Sequence, residues 1–588
     1  MKRIFTILFL IITLVYNLQS QSYKFALFNN IQIDSNSSTN AFFEKIKYVN
    51  NNPEIKFVIV KGNLTAHGYP DEFELLKSIL DSCNVPYYLL PDFNDIERSQ
   101  SLGSDYNLIF GKTYFSFKKE DAYQIGIRGS KYKLSNMAHF PPKEINRLKK
   151  VINKIPTNYL IILFLNNPLK IVDNNWQIRN IFAGRKLFIV NPRDNTSFKI
   201  LTVQNDSVYS TNNLLDSLST NLRIEEKNFT QKDSTQFIDY SYLKKKRIPK
   251  SKANIFWQKN LQAETPNNIL ISKDKLFLVS KEGVIYCLDY KGNIKWVHNL
   301  KEIIISKPAI TNDVLIVATT AGDLFTLKAT TGEVIQSIGI DDALVTSVLK
   351  TRINYYGQET DAVVVGGSSG LFYCYTLNKL ELVWNNNFSD SEIVTKPLSI
   401  KHRIIFGSKE GYLYSIDDRT GVLYWKWKPK RVKKTIVNFS NPVSDGKNIF
   451  ATTSNGIIYK IDLLLGTTLW KNRTNKANLS LGLSSTGRTV ITKSRNNKLN
   501  LFNSKTGHNY KGIRLNFGKD LIKHQPIEFN RNILISSDKG TLYLINKRYY
   551  YKPLFFLGNA ALHSVQKIND NKFIVSNVDG KIVLFSLE

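Results

Sequence analysis

The stretch RIIFGSKEGYLYSIDDRTGVLYW, residues 403–425, reads as a small sheet in miniature. An apolar strand leads to a tight turn at Gly411, an alternating Tyr/Leu/Ile strand follows, and a polar turn at Asp417–Gly421 precedes a strand ending in Trp425. The same phrase returns about every 40 to 48 residues through the second half of the chain, eight times in all. Its turn position holds Gly283, Gly322, Gly370, Gly411, Gly456, Gly540 and Gly580, with Asn497 in the sixth copy. A tight hairpin needs a backbone at positive φ, which Gly supplies freely and Asn tolerates. Repetition at this period predicts an all-β, eight-bladed propeller over residues 254–588. The eighth copy reaches Glu588 without the strand that ends in Trp elsewhere, and Asn254–Leu261, containing Trp257, has the pattern of that strand. Pairing the two closes the ring and removes two exposed sheet edges.

The D-x-x-TG-x-x-x-W phrase, clearest at Asp417–Trp425 and at Asp462, Gly466 and Trp470, resembles the quinoprotein (PQQ-like) propeller repeat. That resemblance implies either a pyrroloquinoline-quinone dehydrogenase or the non-catalytic branch typified by the outer-membrane assembly factor BamB. In such propellers the Trp and TG residues dock neighbouring blades, which is the expected role of Trp257, Trp296, Trp384, Trp425 and Trp470. The quinone site of the dehydrogenases contains adjacent cysteines, whereas the three thiols here, Cys83, Cys287 and Cys374, are dispersed. Cys287 and Cys374 fall at one strand position in two non-neighbouring blades, where a small buried side chain suffices. No cofactor is therefore expected.

Residues 22–210 alternate apolar strands with amphipathic segments, the pattern of a layered α/β domain. Strands are expected at Lys24–Phe28, Lys56–Val60, Tyr87–Leu90, Leu160–Phe164 and Lys186–Val190, with helices near 40–50, 71–82, 142–154 and 174–183. Within this pattern, Phe57 through Lys77, with Gly62-Asn63-Leu64-Thr65 and His67-Gly68, and then Val85 through Pro91, resemble calcineurin-like metallophosphoesterases. The resemblance implies two metals held by Asp, Asn and His side chains at strand ends. Residue by residue, those positions have changed: the first strand is followed by Asn30 and Gln32, and the metal-bridging Asp is Asn63. Asp92-Phe93-Asn94-Asp95 replaces the Gly-Asn-His-Asp phrase, a later His is Asn166, and the closing Gly-His-x-His phrase becomes Asn191-Pro192-Arg193-Asp194. Neutral Asn63 cannot supply the anionic oxygen that holds two dications together. No metal is expected, and the seven histidines lack metal-ligand spacing.

Met1–Arg3 followed by an apolar core to Val15 has the form of a signal peptide over residues 1–20. Without a cysteine after that core, the expectation is an exported chain in the periplasm or outside the cell, not a lipoprotein. Residues 211–253 read as a polar linker. A net charge of +32 is spread along the chain and comes with no nucleic-acid-binding motif, so no specific nucleic-acid partner is expected. It concentrates in a loop at Lys430, Arg431, Lys433 and Lys434, a solvated surface or one suited to an anionic partner. The expected work is non-catalytic scaffolding at the cell envelope, in outer-membrane protein assembly, through an envelope protein partner. Two enzyme readings stand beside it: a phosphoesterase using Asp34, Asp95 and Asp194 for metals, and a quinone-dependent oxidoreductase.

Overall fold

The computed structural model describes residues 22–34, 37–211 and 253–587 apart from short stretches, the longest being 132–137, 191–197, 430–438 and 516–523. The expected signal peptide, nearly all of the linker, and the turn at Asn497 lie outside the described residues. The chain divides into two compact units.

In the N-terminal unit, β1 (Tyr23–Asn29), β2 (Ile55–Gly62) and β3 (Tyr87–Pro91) run parallel. They are joined through α1 (Ser37–Asn50) and α2 (Pro70–Asp81), crossovers that parallel neighbours require. The short helix α3 (Ser104–Ile109) follows, and then a second sheet. That sheet contains β4 (Phe115–Lys119), β5 (Ala122–Ile127), β8 (Leu160–Leu165) and β9 (Lys186–Val190). Between β5 and β8 come the small pair β6 (Ser130–Lys131) and β7 (Ala138–His139) and the helix α4 (Pro142–Ile152); α5 (Asn175–Ile181) precedes β9. A hairpin of β10 (Phe198–Gln204) and β11 (Ser207–Thr211) returns to the first sheet, which has the order β11-β10-β1-β2-β3. Every residue of β8 and most of β1 and β2 are buried, because these strands are covered on both faces. Between the sheets Phe25 stacks on Phe57 at 4.8 Å and meets Phe164 edge-on at 6.0 Å. The outer face of the first sheet carries α1 and α2 through Phe42, Ile46, Phe73 and Leu76, and that of the second carries α4 and α5 through Leu148, Ile152, Ile178 and Phe182.

The C-terminal unit consists of eight four-stranded antiparallel sheets, the blades of a propeller. Seven are continuous in sequence. The eighth takes its outer strand, Ala253–Asn260, from the start of the unit and pairs it with Lys581–Leu587. All seven named turn glycines have positive φ. At Gly540 a second reason appears: a Cβ there would fall 1.4 Å from the carbonyl oxygen of Gly558. Cys287 and Cys374 are free and buried, each directly across from a Trp of its own blade, Trp296 and Trp384.

The outer-strand tryptophans each reach into the next blade. Trp257, Trp296, Trp384, Trp425 and Trp470 donate from Nε1 to the carbonyl oxygens of Tyr290, Ala329, Arg419, Leu463 and Ser504 at 2.8–3.1 Å. Each indole lies on the positive-φ glycine of that same turn, Gly292, Gly332, Gly421, Gly466 or Gly507. Asp417 and Asp462 fold their turns by accepting backbone N–H bonds two and three residues on. Two interfaces depart from the pattern together on both sides. The third blade has Leu380 at φ +54 where the five Trp-covered turns have Gly, and the second blade presents Gln336, which donates to Leu377 O at 2.8 Å. The seventh has Tyr549 at φ +66, and the sixth presents Lys511, whose ammonium sits 4.9 Å from that ring. A flat indole needs a bare backbone beneath it; where a side chain occupies the turn, a slimmer or cationic partner takes its place.

A Cβ at Gly466 would lie 2.6 Å from Trp425 Cγ. Gly466→Ala should therefore lower propeller stability by about 2 kcal/mol or more from overpacking and the unfavourable φ. In denaturant melts, Trp425→Ala combined with Gly466→Ala should cost less than the two single changes added, because both act on one contact.

Candidate functional site

The carboxyl ends of β1, β2, β3 and β8 bring together most of the positions where the metallophosphoesterase resemblance implies metal ligands. The loops after β1 and β2 continue to pair beyond the strands: Asn30 N–H donates to Lys61 O (2.9 Å), Gln32 N–H to Asn63 O (3.2 Å) and Ile33 N–H to Leu64 O (2.9 Å). Asn30 and Gln32 both take φ +51, a backbone conformation that Asn in particular tolerates. Asn30 Oδ1 accepts the Asn63 N–H at 3.0 Å, and Asn63 Oδ1 accepts the Asn94 N–H at 3.4 Å. From β8, Asn166 donates its amide to Leu90 O (3.0 Å) and Pro91 O (2.7 Å), joining the two sheets at the end of β3. Gly62, at φ +89, allows this crowding, since a Cβ there would fall 2.2 Å from Asn30 Oδ1. Phe93 is half-buried in the same loop. Pro192 and Asp194 lie outside the described residues, as do Lys430, Arg431, Lys433 and Lys434.

These side chains thus bond to the backbone of neighbouring loops, while Asn166 Oδ1 is buried without a hydrogen-bond partner among the described residues. Asp95 goes further. It is fully buried, and its two oxygens accept the N–H groups of Leu64 (3.0 Å), Thr65 (2.9 Å) and Asp92 (2.9 Å) and the Thr65 hydroxyl (2.9 Å). Its acceptor capacity is committed to tying the β2 and β3 loops together, so the use of Asp95 for metal binding in the phosphoesterase reading gives way to a structural one. Sequence shows an acid at this position but not the four donors that surround it. Glu72 works similarly at the start of α2, accepting the N–H groups of His67, Gly68 and Tyr69 and holding His67 Nδ1 at 2.8 Å. Among the described residues, no group of three or more His, Cys, Asp or Glu is placed to hold a metal ion. Nor is any helix among them long and apolar enough to cross a membrane.

Burial lifts the Asp95 carboxyl to about 6, against the pull of its four donors. A carboxyl raised on folding favours the folded state most below its unfolded pKa, near 3.8, and loses that contribution as pH climbs through about 6. Melting of the full chain and of Asp95→Asn across this window should show the parent losing up to about 3 kcal/mol relative to the variant. Asp95→Ala, which strands the donors, should be destabilised throughout.

The family model described as outer membrane protein assembly factor BamB matches residues 248–427 and 356–547, overlapping segments that together cover just over half of the chain. The outer membrane protein assembly factor BamB of Shewanella oneidensis is 23% identical over 225 residues, 36% of this chain and 54% of that protein. A probable glycerophosphodiester phosphodiesterase GpdQ of Arcobacter nitrofigilis is 26% identical over 150 residues, 25% of this chain and 55% of that one. The chain spans about half the length of these curated relatives. The crystal structure of BamB from Moraxella catarrhalis superposes with a TM-score of 0.48 at 18% identity, over 57% of this chain and 99% of that one. With its eight-bladed ring and the span of the family match, the chain belongs to the family of the outer membrane protein assembly factor BamB.

Proposed function

We propose that the chain is an exported, non-catalytic scaffold of the cell envelope that serves outer-membrane protein assembly, its propeller docking an envelope protein. The match of the assembly-factor family to the propeller carries this reading. A ring of blades locked by tryptophans offers a rigid face with variable loops, which suits recognition and needs no reacting group. The N-terminal unit enters as a metallophosphoesterase-like domain kept for its shape. Its strand ends carry Asn30, Gln32, Asn63 and Asn94 where the resemblance implies ligands, and Asp95 is spent on the loops.

The phosphodiesterase relative favours a second reading, hydrolysis of a phosphodiester by this unit. Two measurements separate them. Crosslinking in cells followed by purification of the chain should recover a component of outer-membrane assembly from the envelope fraction; recovery of none would remove the scaffold reading. The purified chain should leave bis(p-nitrophenyl) phosphate intact with added Mn²⁺, whereas turnover abolished by Asn63→Ala would establish hydrolysis.

A further inference from the structure

Two blades enter the ring through the same phrase. Ser306-Lys307-Pro308 precedes the inner strand Ala309–Thr311 of the second blade, and Thr395-Lys396-Pro397 precedes Leu398–Ile400 of the fourth. The hydroxyls are buried and bonded within their own blades, Ser306 to Ala318 O at 2.6 Å and Thr395 from Gly407 N–H at 2.8 Å, and both prolines are buried. Between hydroxyl and proline stands the lysine, Lys307 in one blade and Lys396 in the other. Lys396 Nζ lies 3.5 Å from Oδ1 of Asn267, which precedes the inner strand of the first blade. The first and fourth blades are not neighbours, so this contact spans the centre of the ring. The Asn267 amide is oriented by its donation to Ile305 O at 2.6 Å, and the Lys396 N–H is held by Asn441 Oδ1 of the fifth blade at 3.0 Å.

Polar, uncharged residues, Ser347, Asn441, Gln525 and Ser564, occupy the matching positions before other inner strands. The nearby acid Asp538 is engaged by His524 Nε2 at 2.6 Å, and His563 bonds Thr265 O at 2.8 Å. Among the described residues neither Lys307 nor Lys396 has an ion-pair partner. Like charges gathered about one axis without an acid of their own favour a bound counter-charge. We propose that the propeller axis is a receptor for a small, multiply charged oxyanion, clasped between Lys307 and Lys396.

The electrostatics agree with the geometry. Loss of solvation, and then the charge of Lys307, bring the Lys396 ammonium down to about 8, and loss of solvation lowers Lys307 as well. Yet the Lys396 side chain remains accessible; accessible and poorly solvated together describe a recess within the ring, open enough for a ligand. His563, pushed down to about 3 by burial, then by Lys396 and then by His524, stays neutral there. Lysine suits the task, since its compact ammonium acts as a point charge toward phosphate or carboxylate.

Calorimetric titration of the full chain at neutral pH and physiological ionic strength, with inorganic phosphate in one arm and citrate in the other, tests the proposal. Saturable one-to-one heat is expected in at least one arm: phosphate alone points to a phosphate group, citrate alone to a carboxylate ligand, and both to a site that reads charge. Lys307→Gln and Lys396→Gln should each weaken binding about tenfold or more, whereas Lys409→Gln, in an exposed turn of the fourth blade, should leave it unchanged. No saturable heat in either arm, or equal heat in the parent and both axial variants, overturns the proposal. Without anion, Lys396→Gln should melt no lower than the parent; a lower melting temperature would make the lysine part of the fold and would also overturn it.

Discussion

The propeller depends on one contact: an indole laid on a bare glycine across the gap between blades. Neighbouring blades form separate sheets with few backbone bonds between them, such as Val348 N–H to Lys307 O, so side chains carry much of the contact that fixes the angle at which one sheet meets the next. The repeat concentrates its distinctive residues there. Asp folds the turn, Gly clears its surface, and the preceding blade's Trp covers it and donates to its carbonyl. Asn386 and Asn472 add a second bond to the carbonyls of Gly421 and Gly507. Each interface ties only adjacent units, so stability is a sum over neighbours until the ring closes, and closure by Ala253–Asn260 removes the two free ends that would otherwise fray.

Much of this was legible because spacing carried it: a period near the length of a blade, glycine at a fixed offset, and a Trp-bearing strand without a home upstream. The two altered interfaces were not. In sequence, Gln336 and Lys511 look like lapses from a motif. Only the structure sets them opposite Leu380 and Tyr549, where the change on one side explains the change on the other. The hairpin Phe198–Thr211 was hidden for a different reason, since its second strand is short and polar and reads as the approach to a linker. At the strand ends of the first unit, the residue types could be read directly, but Asp95 could not be sorted into ligand or loop tie. That distinction rests on which backbone N–H groups converge on it, and they come from two loops about thirty residues apart.

One physical rule links the two ends of the molecule and gives opposite results. A cluster of carboxylates is held together by the cations it binds; without them, like charges repel in a poorly solvated place. At the strand ends of the first unit the side-chain oxygens turn to the backbone instead, Asn30 Oδ1 accepting the Asn63 N–H and Asn63 Oδ1 the Asn94 N–H. There those oxygens are engaged within the chain. The propeller axis differs: Lys307 and Lys396 occupy matching positions before inner strands, and neither has an ion-pair partner among the described residues. Neutral residues at both positions would make the ring easier to assemble. Charges that work against the fold in this way point to something outside the chain, and the axis, where eight blades bring their strand starts together, is the place in this fold where a small ligand can meet several of them at once.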